Sequence, residues 1–380
     1  MAGRIVLFGA TGYTGRLTAE AMVERGMKPV LAARSRDKLE TLMEELGGGL
    51  ETAVADVSQP HGVRALVERG DVLVSTVGPF ARWGGPAAAA ATTAGAHYLD
   101  STGEPAFIRE VFERYGAAAA RSGSGMLTAF GYDWVPGNLA GGLALRRAGD
   151  DAVRVDVGYF ITGRGSASGG TQATMAASLG DPAFAFREGR VRSERSAKRV
   201  RSFPVGSKTR EAISVGSSEH FALPRVAPQL REVNAYLGWF GPLSRAMQAM
   251  SLGLSLPGAS KLVKLAGERL VKGSSGGPDA DARAKSGSHV VAIAYDGAGR
   301  ELAEAHLSGV DGYTFTGRML AWGAQKAAEG GLQGSGALGP VDGFGLVALT
   351  DGCRWAGLDE KKAGSREAPE VSEPEHATLG

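Results

Sequence analysis

The sequence predicts an α/β protein: a Rossmann-type parallel sheet carrying an inserted α+β domain built on a mixed or antiparallel sheet. Three observations predict it. An apolar run over residues 5–8 stops at Gly9, and further glycines follow at Gly12 and Gly15. Across roughly the first 130 residues, short apolar runs alternate with helix-like stretches, the signature of βαβ units. Beyond about residue 136 the alternation gives way to strands with one polar face, such as Val153-Arg154-Val155-Asp156-Val157.

Taken in order, strands are expected over residues 5–8, 30–33, 52–55, 72–76, 98–100 and 126–129, with helices over 14–25, 36–46 and 105–121 between them. Later, residues 289–295 and 300–310 flank Asp296-Gly297-Ala298-Gly299, which reads as a hairpin turn. A glycine- and serine-rich stretch from Gly273 opens a flexible loop that runs to about Ser288. Residues 361–380 are polar and rich in Glu, Pro and Ser, the composition of a disordered tail. The expected domains are a nucleotide-binding unit at 1–135, completed by about 331–358, and a substrate and dimerisation domain at 136–330. A homodimer is expected.

The bulk composition narrows the function classes. A chain of 380 residues with 43% apolar residues can bury a sizeable core, and a net charge of +2 points to neither nucleic acid nor membrane. The one cysteine, Cys353, excludes an internal disulfide and argues against a structural zinc site, so no metal is expected. The N-terminus shows no secretory pattern, and a cytoplasmic location is expected. The most membrane-like window, 237–256, carries Pro242, Arg245 and Gln248. Placing Arg at a helix centre in a bilayer costs about 2.5–3.5 kcal/mol, so a buried or interfacial helix is expected and no membrane span.

The loop after the first strand has the parts a dinucleotide diphosphate needs. Gly9 permits a sharp turn, Gly12 removes a Cβ that would block the pyrophosphate, and Gly15 lets the helix lie close to the strand. The helix N-terminus then offers free N–H groups and a positive dipole end to the phosphates. Gly9, Thr11, Gly12, Tyr13, Thr14 and Gly15 are therefore candidate cofactor residues. The second strand ends at Arg34, followed by Ser35 and Lys38, where NAD-binding chains place an acid for the ribose hydroxyl. Arg can grip a 2′-phosphate through two parallel hydrogen bonds, so NADP(H) is the expected cofactor. The competing reading makes Arg34 and Lys38 a solvated helix start. Asp56 and Val57 end the third strand, beside the adenine or at a helix cap. Thr76, Val77, Gly78 and Pro79 end the fourth, where backbone would approach the nicotinamide ribose.

Several segments together resemble the saccharopine dehydrogenase-like group: Gly9 to Gly15, Thr76-Val77-Gly78-Pro79-Phe80, His97 to Glu104, Gly131-Tyr132-Asp133-Trp134-Val135-Pro136 and Ser168-Gly169-Gly170-Thr171. Within that group the chain is most similar to actinobacterial trans-acting enoyl reductases. The resemblance implies an NAD(P)H-binding domain with a mixed α/β domain inserted before a C-terminal return. It also implies one of two chemistries: reduction of a C=C bond in a polyketide chain supplied by another protein, or C–N chemistry through an imine. Tyr132 and Trp134 depart from the group's plainer residues, and Gly137-Asn138 stands where Ser-Asp is usual.

The candidate chemistry follows from what a reduction lacks once the cofactor has supplied a hydride, namely a proton. No Tyr-x-x-x-Lys pair, Gly-x-Ser-x-Gly elbow, paired-His motif or P-loop is present. Tyr132 and Asp133, just past the sixth strand, are the candidate catalytic residues, against a reading in which they only pack and turn. Asp100 and Glu104 are expected to cap helices. Thr171 is a candidate helix cap or substrate contact.

Between Arg187 and Arg201 lie seven basic residues and two acidic ones. Such a run can steer an anionic acyl-carrier protein or coenzyme A thioester, or simply be a solvated strand. Nucleic acid is not expected. The stretch 239–256, with Met247, Met250, Leu252 and Leu254, reads as an acyl channel, a core helix or a dimer face. Three functions follow: an NADPH-dependent reductase of an unsaturated acyl or polyketide intermediate, an NADPH-dependent imine reductase, or a non-catalytic NADP-binding regulator.

Overall fold

A computed structural model describes residues 3–163, 182–254 and 276–361. The first six strands are β1 (Ile5–Phe8), β2 (Val30–Ala33), β3 (Thr52–Val54), β4 (Val72–Ser75), β5 (His97–Asp100) and β6 (Gly125–Leu127). Next come β7 (Arg154–Gly163), β8 (Pro182–Arg187), β9 (Arg190–Arg195), β10 (Val200–Val205), β11 (Lys208–Val215), β12 (Glu232–Leu237), β13 (Ser286–Tyr295) and β14 (Glu301–Val310). Two short strands close the chain, β15 (Gly336–Ala337) and β16 (Leu358–Lys361).

Among the described residues these strands make two sheets. The first has seven strands in the order β15-β6-β5-β4-β1-β2-β3, every pair parallel. Chain order reverses between β1 and β4, so the crevice outside their carboxyl ends is where an open α/β sheet takes its ligand. The second sheet has nine strands. Its central path runs β10-β11-β12-β7-β13-β14-β16, and β8 joins it beside β12. It is mixed, because β12 runs parallel to β7 while β13 and β14 form an antiparallel hairpin. The hairpin turn is where the sequence places it, and Asp296 holds it by accepting the N–H groups of Ala298 and Arg300 at 2.9 Å each.

One core joins the sheets. Leu7, Val74 and Leu99 of the first and Val157, Val290 and Leu307 of the second belong to a single buried cluster. The helix Val135–Ala148 supplies much of it, being buried at every position from Val135 to Leu145. A helix that is apolar all round can sit only inside the molecule. Its start immediately follows Tyr132 and Asp133, so those two residues lie where one layer hands over to the other.

Two expectations shift. The sixth strand ends at Leu127, not at residue 129, because Ala129 takes a left-handed backbone (φ 58°). That conformation costs a non-glycine residue of order 1–3 kcal/mol. Asp100 holds it in place: its carboxylate accepts the Ala129 N–H at 2.9 Å, and its carbonyl accepts the Phe130 N–H at 2.7 Å. The basic run from Arg187 to Arg201 forms β8 to β10, and most of its charge is answered within the chain. Arg187 meets Glu232 (3.1 Å) and Asn234, Arg192 meets Glu188, and Lys198 and Arg199 share Glu194 (3.4 and 2.9 Å). Arg195 donates to the Gln248 carbonyl at 3.1 Å, and Arg201 pairs with Asp156.

The membrane-like window resolves into β12, a turn at Gly241–Leu243 and the helix Ser244–Leu254. Among the described residues no helix is long and apolar enough to cross a membrane. Thr171, the tail beyond residue 361 and residues 273–275 lie outside the described residues, while the rest of the expected loop to Ser288 is a short stretch leading into the helix Ala280–Ala284 and the start of β13, because Asp279 caps that helix by accepting the Ala282 N–H at 2.8 Å.

Candidate cofactor and active site

The loop after β1 is built as its glycines require. Gly9 adopts φ 92°, and a Cβ there would lie 2.7 Å from Thr76 Oγ1 and 2.9 Å from Val77. Thr76 returns the contact by donating its hydroxyl to the Gly9 carbonyl at 3.1 Å, which ties the ends of β1 and β4 together. A Cβ on Gly15 would fall 2.2 Å from the Gly9 carbonyl oxygen. The helix Tyr13–Glu24 begins at Gly12 with no side-chain cap and no acid in its first turn. Its leading N–H groups are therefore free for an anion, and the dipole favours one. Thr11 and Thr14 line this loop half-buried, and Gly12 is exposed at its tip.

Tyr13 projects away from the loop. Its hydroxyl bonds the Pro278 carbonyl and takes a hydrogen bond from Arg283 at 2.9 Å, while its ring meets Tyr313 edge-on at 5.1 Å. Burial raises its pKa. Among the described residues, then, the Tyr13 side chain joins the nucleotide loop to the second half of the chain.

At the end of β2, Arg34, Arg36 and Lys38 are all exposed, and the Ser35 hydroxyl caps the helix Arg36–Glu45 by accepting the Lys38 N–H at 3.5 Å. Asp56 neither caps a helix nor stands alone. It accepts the Ser58 N–H (2.8 Å) and hydroxyl (2.7 Å), which, with Arg34 nearby, lowers its pKa. Val57 and Val77 pack against the core cluster of Val6, Phe8 and Leu73. Gly78 and Pro79 are exposed at the end of β4, joined by a cis peptide. Glu104 caps the helix Phe80–Ala94 that follows, accepting the Phe80 and Ala81 N–H groups at 2.7 and 2.9 Å. Asp100 is a buried turn-former whose pKa burial lifts to about 6.

Tyr132 and Asp133 stand next to each other but face different surroundings. Tyr132 is 5% exposed, packed edge-on against Tyr159 and Phe315, with its hydroxyl donating weakly to the Phe160 carbonyl at 3.4 Å. Burial, then Asp133, raises its pKa. The Asp133 carboxyl reaches back over the β5 edge: a Cβ on Gly103 would lie 2.9 Å from its Oδ2. Oδ1 is shielded from solvent and has no hydrogen-bond partner among the described residues. Burial lifts its pKa to about 7. A carboxyl so placed, just past the end of β5, can take up and release a proton near neutral pH.

The sequence reading missed two residues at this edge. Tyr159 on β7 donates its hydroxyl toward Glu219 Oε1 at 2.6 Å, and both are fully buried. They are 60 residues apart, and a serine pair followed by Glu219-His220 reads locally as nothing more than a helix start. Only the meeting of β7 with the helix Glu219–Val226 brings them together.

The residues at the β1, β2 and β4 ends fit a phosphorylated dinucleotide. The uncapped helix start offers free N–H groups to a pyrophosphate, and the exposed Arg34 and Lys38 at the end of β2 offer positive charge to a 2′-phosphate where an acid would repel it. Comparison with known proteins agrees. Residues 5–126 match the saccharopine dehydrogenase NADP binding domain family. A trans-acting enoyl reductase of Mycobacterium leprae is 40% identical over 140 residues, spanning 36% of this chain and 34% of the relative. One from Mycobacterium tuberculosis is 38% identical over 152 residues, 39% of this chain and 36% of the relative. The chain thus matches less than half the length of these curated relatives. An apo saccharopine dehydrogenase (L-Glu forming) from Saccharomyces cerevisiae shares the fold, with a TM-score of 0.56 and 12% identity over 95% of this chain and 99% of that one. Over residues 5–126 the chain thus matches an NADP-binding domain of the saccharopine dehydrogenase type.

Proposed function

We propose that the chain is an NADPH-dependent reductase of a carbon–carbon double bond in an unsaturated acyl intermediate, with Asp133 handling the proton. The observation that carries the reading is Asp133 itself, a buried carboxyl set against Gly103 just past the end of β5, with Oδ1 unpartnered among the described residues. The likeness to trans-acting enoyl reductases supplies the substrate class.

NADPH, when bound, supplies a hydride. The chain must do the rest. The loop from Gly9 to Gly15 holds the pyrophosphate, and Arg34, with Lys38 one turn on, grips the 2′-phosphate. Thr76 to Pro79 present backbone to the nicotinamide ribose. Asp133 loses its proton to the carbon chain, an O–H bond breaking as a C–H bond forms, and is left as a carboxylate. Tyr132 holds Asp133 in position through its ring packing.

Arg34→Ala is expected to weaken NADPH binding by about 10- to 100-fold, the worth of a charge-assisted hydrogen bond, and NADH binding hardly at all. Fluorescence titration of both nucleotides checks it, and equal weakening removes Arg34 from the 2′-phosphate. Tyr132→Phe is expected to leave turnover within a few-fold of the parent. A loss on the order of 10²-fold with intact NADPH affinity would make Tyr132 the donor instead.

NADPH oxidation measured against enoyl thioesters and against cyclic imines tests the reaction class. Turnover with the thioesters supports the reading, and turnover with imines alone replaces it. Delivery of the acyl chain by a carrier protein docking at Arg187 to Arg201 is a finer proposal. The pairing of that run within the chain leaves exposed Arg190 as its freest cation among the described residues.

A further inference from the structure

Residues 277–285 lie across the start of the nucleotide helix. The backbone of Gly277 rests against the Tyr13 ring: a Cβ there would fall 2.3 Å from Cε1, 2.5 Å from Cζ and 2.6 Å from Cδ1. Next to that contact, three polar groups close a triangle. The Tyr13 hydroxyl donates to the Pro278 carbonyl, and Arg283 Nη1 donates to both of them at 2.9 Å each. Every hydrogen and lone pair in the triangle has a use. Nη1 carries two hydrogens, the carbonyl has two lone pairs, and the hydroxyl gives one hydrogen and takes one. Tyr313 meets the same ring edge-on at 5.1 Å.

No residue from 277 to 285 is buried, and the short helix within the segment, Ala280–Ala284, is capped from inside it by Asp279 at 2.8 Å. A stretch without buried apolar contacts opens at small cost, so directed contacts such as the triangle decide whether it stays down. Tyr13 is also the first residue of the helix Tyr13–Glu24, whose leading N–H groups are free for the pyrophosphate. Whatever fixes Tyr13 fixes the direction of those N–H groups. By linkage, an anion that aligns them strengthens the hold of Tyr13 on the segment in return.

Both sides of the contact lead on to the wall of the candidate active site. The segment runs directly into β13, where Ser288 faces the Tyr132 hydroxyl. Tyr313 follows Gly312, where a Cβ would lie 3.0 Å from the Tyr132 ring. The start of the nucleotide helix and the packing around Tyr132 are therefore joined through residues 277–288 on one side and through Gly312 and Tyr313 on the other.

We propose that residues 277–285 form a clasp that closes on the nucleotide loop when NADPH binds, with Arg283 as the positioning residue that holds it shut through Tyr13. Arg283 touches neither cofactor nor substrate in this role, and Tyr13 serves the cofactor by orienting the helix start from outside the phosphate site. The clasp rests on the NADP-binding domain and not on the reaction that follows.

Hydrogen–deuterium exchange of the full chain, read over residues 277–285 with and without NADPH, tests the clasp. In the parent, saturating NADPH is expected to slow exchange there by about 5-fold or more. Tyr13→Phe keeps the ring against Gly277 and Tyr313 but removes both bonds of the hydroxyl. It is expected to abolish that protection and to weaken NADPH binding by about 3- to 10-fold, the worth of a hydrogen bond. Arg283→Met should do the same, and Arg283→Lys, which keeps a donor for the hydroxyl, should restore most of the protection. Exchange at 277–285 that ignores NADPH in the parent overturns the clasp. So does protection equal to the parent's in whichever of Tyr13→Phe and Arg283→Met folds. No substrate enters the measurement. A chain that binds NADPH yet reduces none of the thioesters ends the reductase reading and leaves the exchange result standing on its own.

Discussion

Asp133→Asn is expected to lower turnover by about 10²- to 10⁴-fold, the usual contribution of a positioned general acid, with NADPH affinity essentially unchanged. The substitution is nearly isosteric. It keeps the fit over Gly103, where Oδ2 sits 2.9 Å from the place a Cβ would occupy, and removes only the transferable proton. Asp133 lies past β6, whereas the nucleotide loops follow β1, β2 and β4, so binding and chemistry should separate in the kinetics. Parallel loss of kcat and kcat/KM with an intact NADPH Kd is the pattern of an interaction made only in the transition state.

The pH profile gives a second check. The acid form is the working form, so turnover should fall as pH rises through about 7, where Asp133 ionises. Stability should move the same way. A carboxyl whose pKa is raised by folding binds its proton more tightly in the folded chain, and its contribution is lost as pH rises from the unfolded value toward 7. Asn at 133 should flatten both trends, and a variant that keeps native turnover and the native profile would leave Asp133 a turn residue.

The sequence made the first sheet readable almost strand by strand, and the physical reason is local. Each βαβ unit carries its own period and its own punctuation, and the glycines of the first loop are required by contacts only a few residues away. Gly15 meets Gly9, six positions earlier. Glu104 does cap a helix, but not the one it precedes: its amide partners Phe80 and Ala81 open the helix after β4, which no local pattern around Glu104 signals.

What was not legible is long-range. Arg187 to Arg201 reads as a bare basic patch until the sheet brings Glu232 of β12 to Arg187 of β8 and Asp156 of β7 to Arg201 of β10. Glu219 gave no signal because its partners come from β7 and from Gly137. Tyr132 and Asp133 looked like one unit in the sequence. Their side chains diverge, since one fills a gap among Tyr159 and Phe315 and the other turns back to the sheet edge.

Gly15→Ala is expected to damage cofactor binding and stability together, the largest combined effect of any single methyl group in the loop. The added Cβ would sit 2.2 Å from the Gly9 carbonyl oxygen and 2.9 Å from the Cα and carbonyl carbon of Ala10. All of these are backbone atoms, so no side chain can rotate to relieve the overlap. The helix Tyr13–Glu24 would have to move off the end of β1. Its far side offers no slack, because Gly317 of the helix Gly312–Ala328 already abuts Leu17, where even a Cβ on the glycine would come within 2.9 Å of backbone.

Overpacking of this kind costs about 1–3 kcal/mol, or roughly 1–4 °C in Tm for a chain of this size. Because the leading N–H groups move with the helix, NADPH binding should weaken on the order of 10²-fold, the combined worth of the charge-assisted hydrogen bonds those groups make to the pyrophosphate. Gly12→Ala separates the two effects. Its Cβ would meet only the Gly9 carbonyl, at 3.3 Å, so the fold should tolerate it while the pyrophosphate loses its place. Thermal melts and NADPH titrations of the two variants should therefore part company: Gly15→Ala loses both stability and affinity, Gly12→Ala affinity alone. Were Gly15→Ala to melt and bind like the parent, the helix could not be seated on the β1 end as closely as its contacts require.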